Sequence, residues 1–344
     1  MTNPFSLTFG IEPKNYIARI DDNEKIIAEF SQEESSNYIY LLTGVRGSGK
    51  TAMLSSISNR LKSDKNWIVA DAGPKENILE NVAAEIYESA NVKHLFLQGE
   101  FSFSFQGIGF SIKGKEPVSN VMTLLKKMLS YLQKKGIKVL ITFDEVDNSE
   151  ATKLFIEGYA SLLRQGYPMR LLMTGLYENV SKLQENKSLT FLYRAPKIQM
   201  GPLSLVEIRY NYEKYLNVDS ETAATFAKLT NGYAYAYQVL GYLLFEKDKK
   251  VIDAEVLREY DRYLGNYVYE KVFAELTPKE IEILLAFKTD EPVRISELSK
   301  KTGHDAKYLG VYRDQLIKKG ILVAPAYGVL QIALPRFNTF LLLK

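Results

Sequence analysis

One short stretch constrains this chain more than any other: Gly44-Val45-Arg46-Gly47-Ser48-Gly49-Lys50-Thr51. It follows an apolar run, Tyr38–Thr43, and opens a segment, Lys50–Leu61, whose pattern predicts a helix. The spacing fits G-x-x-x-x-G-K-[ST]. Glycines let the backbone curl until successive N–H groups converge on one point, and the following helix adds the positive end of its dipole. A loop of this kind cradles phosphate. Gly44, Val45, Arg46, Gly47, Ser48, Gly49 and Ala52 are therefore expected around a nucleoside triphosphate, read as ATP. Lys50 reaches the β- and γ-phosphates as a point charge, and Thr51 offers its hydroxyl to Mg²⁺.

A second element agrees with the first. Val139-Leu140-Ile141-Thr142-Phe143 is an apolar strand that runs into Asp144-Glu145. A carboxylate at such a strand end holds Mg²⁺, and its neighbour orients and deprotonates water, so Asp144 is the expected metal residue and Glu145 the expected base. Asp147 competes for the second role from a position farther past the strand. A carboxylate beside the metal residue favours hydrolysis over transfer to another substrate. Thr174 ends the strand Leu171–Thr174, and in a parallel sheet it emerges at the same edge as Asp144, in reach of the γ-phosphate or the attacking water.

The rest of the chain supplies a frame. Strands at 67–70 and 195–200 join those named above, helices alternate with them, and the expectation for residues 1–202 is an α/β P-loop domain on a five-stranded parallel sheet. Within it, Phe101, Phe103, Phe105, Ile108, Phe110 and Ile112 alternate with small or polar residues on either side of Gln106-Gly107, which predicts a β-hairpin insertion at about 100–113. Residues 203–276 read as helices only, a helical lid. Residues 277–344 read helix, helix, turn at Gly303, helix, strand, turn, strand: a winged helix-turn-helix.

Composition narrows the function classes. The chain has no cysteine and two histidines, which excludes disulfides and thiolate metal sites and leaves little for a histidine-based zinc site or a serine–histidine–aspartate triad. No apolar stretch is long enough to span a bilayer, and Met1-Thr2-Asn3-Pro4-Phe5 lacks the features of a signal peptide, so the expected location is the cytoplasm. The formal net charge is +3. Residues 277–344 hold 11 Lys/Arg against 7 Asp/Glu, so their excess of four exceeds that of the whole chain. A local basic surface on a groove-reading fold favours duplex DNA. Lys307, Arg313, Lys318, Lys319 and Arg336 are its expected contacts.

The order of P-loop, Asp-Glu strand, polar strand end, helical lid and winged helix resembles the AAA+ superfamily, in particular its Orc1/Cdc6-like bacterial and archaeal ATPases, with STAND-type switch ATPases as close relatives. The resemblance implies further roles. Tyr16-Ile17-Ala18-Arg19 is placed like the box that cradles adenine, which adds Ile17 and Arg19 to the nucleotide residues. Thr174 sits like sensor 1, with Thr where Asn is common. Arg194, before the fifth strand, sits where such proteins carry an arginine finger acting within one subunit or across a homo-oligomer interface. Asn231-Gly232-Tyr233-Ala234-Tyr235 resembles the sensor 2 helix but places Tyr235 where arginine is frequent. The hairpin falls where members carry clade-specific insertions, and it or the winged helix offers a surface to a protein partner. Two functions follow: an ATPase whose nucleotide state controls winged-helix engagement of DNA, or a nucleotide switch that binds a protein partner. A small-molecule kinase is a weaker third reading, since a lid and winged helix have no purpose in it.

Overall fold

The computed structural model describes residues 2–8, 12–73, 76–89, 92, 101–104, 109–112 and 120–344. The chain divides into two compact units. One comprises residues 20–42 and 53–198; the other comprises 1–19, 43–52 and 199–344.

The first unit is built on a parallel sheet. Its strands are β1 (Ile39–Thr43), β2 (Trp67–Asp71), β5 (Lys138–Phe143), β6 (Met169–Gly175) and β7 (Lys197–Gln199), in the order β2-β5-β6-β1-β7. β3 (Phe101–Ser104) and β4 (Gly109–Ile112) form the expected antiparallel pair, Phe101 opposite Ile112 and Phe103 opposite Phe110; residues 105–108, with the expected Phe105 and Ile108, lie outside the described residues. Strands β1 and β6 are buried along their whole length, as continuous apolar runs covered on both faces should be. The helices Val121–Lys134 and Glu150–Arg164 turn Leu125, Met128, Leu129 and Leu132, and Phe155, Ile156 and Tyr159, into the core. Each starts at a side-chain cap: Asn120 accepts from the N–H groups of Met122 and Thr123, and Ser149 from that of Thr152.

A charged residue inside β6 needs a reason, and the helix Ile20–Ser31 provides it. That helix has no basic residue in its last turn, so its terminal carbonyls lack a nearby donor in sequence. Arg170, 2% exposed, supplies one from the sheet. Its guanidinium donates to the carbonyls of Phe30 (3.1 Å), Gln32 (2.7 Å) and its neighbour Met169 (3.0 Å), and lies 4.3 Å from the centre of the Tyr38 ring. Lys138 donates to the Ser31 carbonyl beside it. A cation at a helix C-terminus is favourable, and here each of the three guanidinium nitrogens donates to a carbonyl.

The second unit carries the helices Leu205–Leu216, Ser220–Thr230, Ala234–Glu246 and Ala254–Leu264. The last of these runs through one π turn, Gly265–Tyr269, before continuing as Glu270–Ala274. The N-terminal lead-in packs here as well. Phe5 sits over Gly241, where a Cβ would overlap its ring, and makes ring contacts with Tyr212 and Tyr237, both at 5.7 Å.

The terminal segment has the helices Pro278–Leu285, Ile295–Thr302 and Ala306–Lys319. Its sheet is antiparallel in the order β8 (Val293–Arg294), β10 (Val329–Ile332), β9 (Leu322–Ala326). Thr277 and Glu280 form a reciprocal capping box with Pro278 at the first helical position. β8 and the helix Phe337–Leu341 are absent from the sequence-based expectation, because elements of two and five residues show no period. Tyr177–Glu185 and the 3₁₀ helix Lys187–Arg194 are likewise absent from that expectation.

Candidate nucleotide site

The phosphate loop belongs to the second unit. Gly44, Gly47 and Gly49 all have positive φ, at 159°, 72° and 92°. The middle value lies in the left-handed region that suits glycine, and at Gly47 space is short too: an added Cβ would overlap the Tyr233 hydroxyl and come within 3.0 Å of the Tyr235 Cβ. Lys50 is 9% exposed and donates to the carbonyls of Gly44 and Val45, both at 3.0 Å. Its ammonium thus already stands inside the loop it is expected to share with phosphate.

Four contacts hold this loop. The Tyr233 hydroxyl donates to the Arg46 carbonyl. The Tyr235 N–H donates to the Gly47 carbonyl at 3.1 Å. Arg19 donates to the carbonyls of Ser48 (3.1 Å) and Gly201 (2.6 Å). Arg46 pairs with Glu275 at 2.7 Å. Tyr235 therefore serves the loop through its backbone, and Arg19 serves it through carbonyls, alongside a buried Ile17. Burial holds the Tyr233 phenol far above its ordinary range, so it stays a donor.

In the sequence Tyr233 stands out only as part of the segment resembling the sensor 2 helix, and Glu275 carries no signal; in the structure Asn231 and Gly232, just before Tyr233, adopt consecutive left-handed conformations. A cavity of 330 Å³ adjoins the loop, lined in part by Val45, Ser48, Pro202, Tyr233, Gly320 and Leu334. The Ser48 hydroxyl is buried and makes no hydrogen bond. The curled glycine backbone, the enclosed lysine and this orphaned hydroxyl suit a bound polyphosphate. Thr51 and Ala52 follow at the start of the helix Lys50–Lys62, both half-buried.

The acidic turn belongs to the first unit. β5 and β6 are parallel and pair Phe143 with Met173, so Asp144, the first residue past β5, comes level with Thr174, the last but one of β6. Thr174 is fully buried. Its hydroxyl donates to the Asp144 carboxylate and accepts the Glu145 N–H at 3.0 Å, while its carbonyl accepts the Val146 N–H at 2.8 Å. Glu145 has φ 52°, a left-handed conformation uncommon outside glycine and asparagine. It presents an exposed side chain beside the half-buried Asp144. Asp147, the competitor for the base, accepts instead from the Ser149 N–H and the Thr152 hydroxyl, both at 3.0 Å, and builds the entry to the next helix. The Thr51 hydroxyl in one unit and the Asp144 carboxylate in the other are each oxygen donors of the kind a hard cation such as Mg²⁺ takes. Arg194 is exposed at the end of its 3₁₀ helix, next to Tyr193, which is 79% exposed.

The expected basic surface is partly consumed by internal pairs. Lys319 is 12% exposed and lies 2.8 Å from Glu280, which is 1% exposed; it also donates to the Glu275 carbonyl. Arg336 grips Asp261 with two donors, and its N–H donates to Asp290. Neither cation therefore faces outward as expected, because each satisfies a carboxylate that folding brings against it. Arg313 lies 2.8 Å from its neighbour Asp314. Lys307 and Lys318 are exposed on the helix Ala306–Lys319, whose Leu309 and Leu316 are buried.

Comparison with known proteins locates the fold. A family model described as a domain of unknown function, DUF8462, matches residues 266–341. Among curated proteins nothing matches. Solved structures do. The Walker-type ATPase Paby2304 of Pyrococcus abyssi is 15% identical with a TM-score of 0.67, covering 98% of this chain and 99% of that one. The ORC2 protein of Aeropyrum pernix, in ADPNP–ADP complexes, is 14% identical with a TM-score of 0.58, covering 99% and 96%. Cdc6p of Pyrobaculum aerophilum is 15% identical with a TM-score of 0.51, covering 98% and 96%. The chain thus shares the fold of these three proteins along nearly its whole length. At this identity the likeness is one of fold. Among the described residues, no helix is long and apolar enough to cross a membrane.

Proposed function

We propose that this protein binds and hydrolyses ATP with Mg²⁺, and that its nucleotide state sets the posture of residues 277–344, read as a winged helix. The observation that carries the reading is the pair Arg46–Glu275, 2.7 Å apart. Arg46 belongs to the phosphate loop. Glu275 stands just before the terminal segment, and its carbonyl accepts from Lys319 at the end of the helix Ala306–Lys319. A loop that adjusts around phosphate is thereby joined to the residue from which the terminal segment starts.

In the chemical step, Lys50 leaves the carbonyls of Gly44 and Val45 for the phosphates. Thr51 and Asp144 are the residues to hold Mg²⁺, which neutralises phosphate charge when bound. Glu145 takes a proton from water, and Arg194 adds a cation from the same chain or from a second copy. Ile17 and Arg19 lie on the nucleotide side of this reading through the loop they brace.

Duplex DNA is the first partner of the terminal segment, through Lys307, Lys318 and Arg313. The test is duplex binding over a salt series with ATP and with ADP. A steep loss with salt and a difference between nucleotides support it; no binding at low salt removes it. The second reading, a nucleotide switch that docks a protein in the cytoplasm, gains from the inward pairing of Lys319 and Arg336. Those pairs leave the exposed face less basic than the sequence count implies.

A further inference from the structure

The hydroxyl of Thr174 has one proton to give. An ionised carboxylate can only accept, so that proton goes to Asp144, and one of the oxygen's lone pairs takes the Glu145 N–H at 3.0 Å. Phosphate oxygens also only accept. Thr174 can therefore touch a phosphate through its proton only by releasing Asp144. Three further facts oppose that release. Thr174 is fully buried at the end of a strand that is buried throughout. Its own carbonyl is engaged by Val146. A χ1 rotation of its side chain would also drop the bond that supports Glu145 in its left-handed conformation, φ 52°.

We propose that Thr174 is a positioning residue, which fixes the Asp144 carboxylate and the Glu145 backbone as one unit rather than reading the γ-phosphate. The inference rests on the reading of Asp144 as the Mg²⁺ residue. A carboxylate that accepts a fixed hydrogen bond on one oxygen keeps the other aimed at the metal, and loss of such a supporting bond costs metal affinity, typically about 10–100-fold.

ADP separates the two roles, because it has no γ-phosphate. Binding of a fluorescent ADP analogue is followed during Mg²⁺ titration for the wild type, Thr174→Val, Thr174→Ser and Asp144→Asn. For Thr174→Val we expect the half-saturating Mg²⁺ concentration to rise about 10-fold or more. Affinity for the analogue in EDTA should stay within about 2-fold. Thr174→Ser, which keeps the hydroxyl, should restore the wild-type Mg²⁺ response. An unchanged Mg²⁺ response in Thr174→Val, with a loss of ATP affinity alone, overturns the proposal in favour of phosphate sensing. If Thr174→Val does not fold, Thr174→Ala carries the same expectation, and a serine variant with a weakened Mg²⁺ response also overturns it. The wild type and Asp144→Asn report separately on the underlying reading. A wild type that binds no analogue sinks the nucleotide assignment, and an Asp144→Asn variant with a normal Mg²⁺ response sinks the metal assignment and the proposal with it.

Discussion

The phosphate loop and the acidic turn solve the same problem, holding an unfavourable backbone in place, by opposite means. The loop uses glycine where φ is positive and is braced by Tyr233, Tyr235, Arg19 and Arg46. The turn forces a glutamate to φ 52° and leans on Thr174 through both its hydroxyl and its carbonyl. A support shared among contacts from many residues tolerates the loss of one better than a support centred on one residue. The difference matches what each part is for. A loop that closes around phosphate needs contacts that can be exchanged, whereas a carboxylate pair must keep one geometry.

The largest effect expected is on the loop's own chemistry. Lys50→Ala should lower affinity for ATP by roughly 100-fold or more, because the loop's enclosed charge is gone, as read by calorimetric titration. Next comes Arg170→Met, which sharpens the contrast within β6, where Arg170 and Thr174 are both buried polar residues. It should destabilise the fold by about 3 kcal/mol in denaturant unfolding, since two helix-end carbonyls lose their donor, yet leave the Mg²⁺ response of nucleotide binding unchanged. A shifted Mg²⁺ response would show that the acidic turn depends on the whole strand and not on Thr174.

Gly47→Ala should cost about 1–2 kcal/mol in stability, from the left-handed backbone and the overlap with Tyr233. Adding Tyr233→Phe should recover part of it, and a double mutant no better than the single would remove Tyr233 as the obstacle. The Arg46–Glu275 pair is about one-third exposed on each side, and a double-mutant cycle should give a coupling of about 0.5 kcal/mol or less to stability. A large coupling would contradict a loop braced by many exchangeable contacts.

The smallest effect concerns Asp290, whose pKa is raised chiefly by burial, against the pull of Arg336. A carboxyl with a raised native pKa favours the folded state only when protonated; that contribution is complete below its unfolded value and lost as pH rises through the native one. Asp290→Asn should therefore stabilise the protein at neutral pH and lose its advantage in acid. Thermal melts across that range check the sign.

What the sequence disclosed follows the same division. The strand–loop–helix around Lys50 and the strand ending at Asp144 are legible because each rule concerns neighbours in the chain. Thr174 was identified by position, but its partners depend on the register of β5 against β6, which no local pattern contains. Arg170 carries no local signal; its purpose lies in the carbonyl of Phe30, on a helix far away in sequence. The basic residues misled most. Lys319 and Arg336 count as surface charge in a sum, and folding sets both against carboxylates.

The account stands or falls on turnover. Phosphate release from ATP with Mg²⁺ should be measurable for the wild type. Glu145→Gln should fall by about 100-fold or more while still binding ATP within about 3-fold of the wild type. Turnover that persists in Glu145→Gln, or a wild type that binds no ATP, would contradict it.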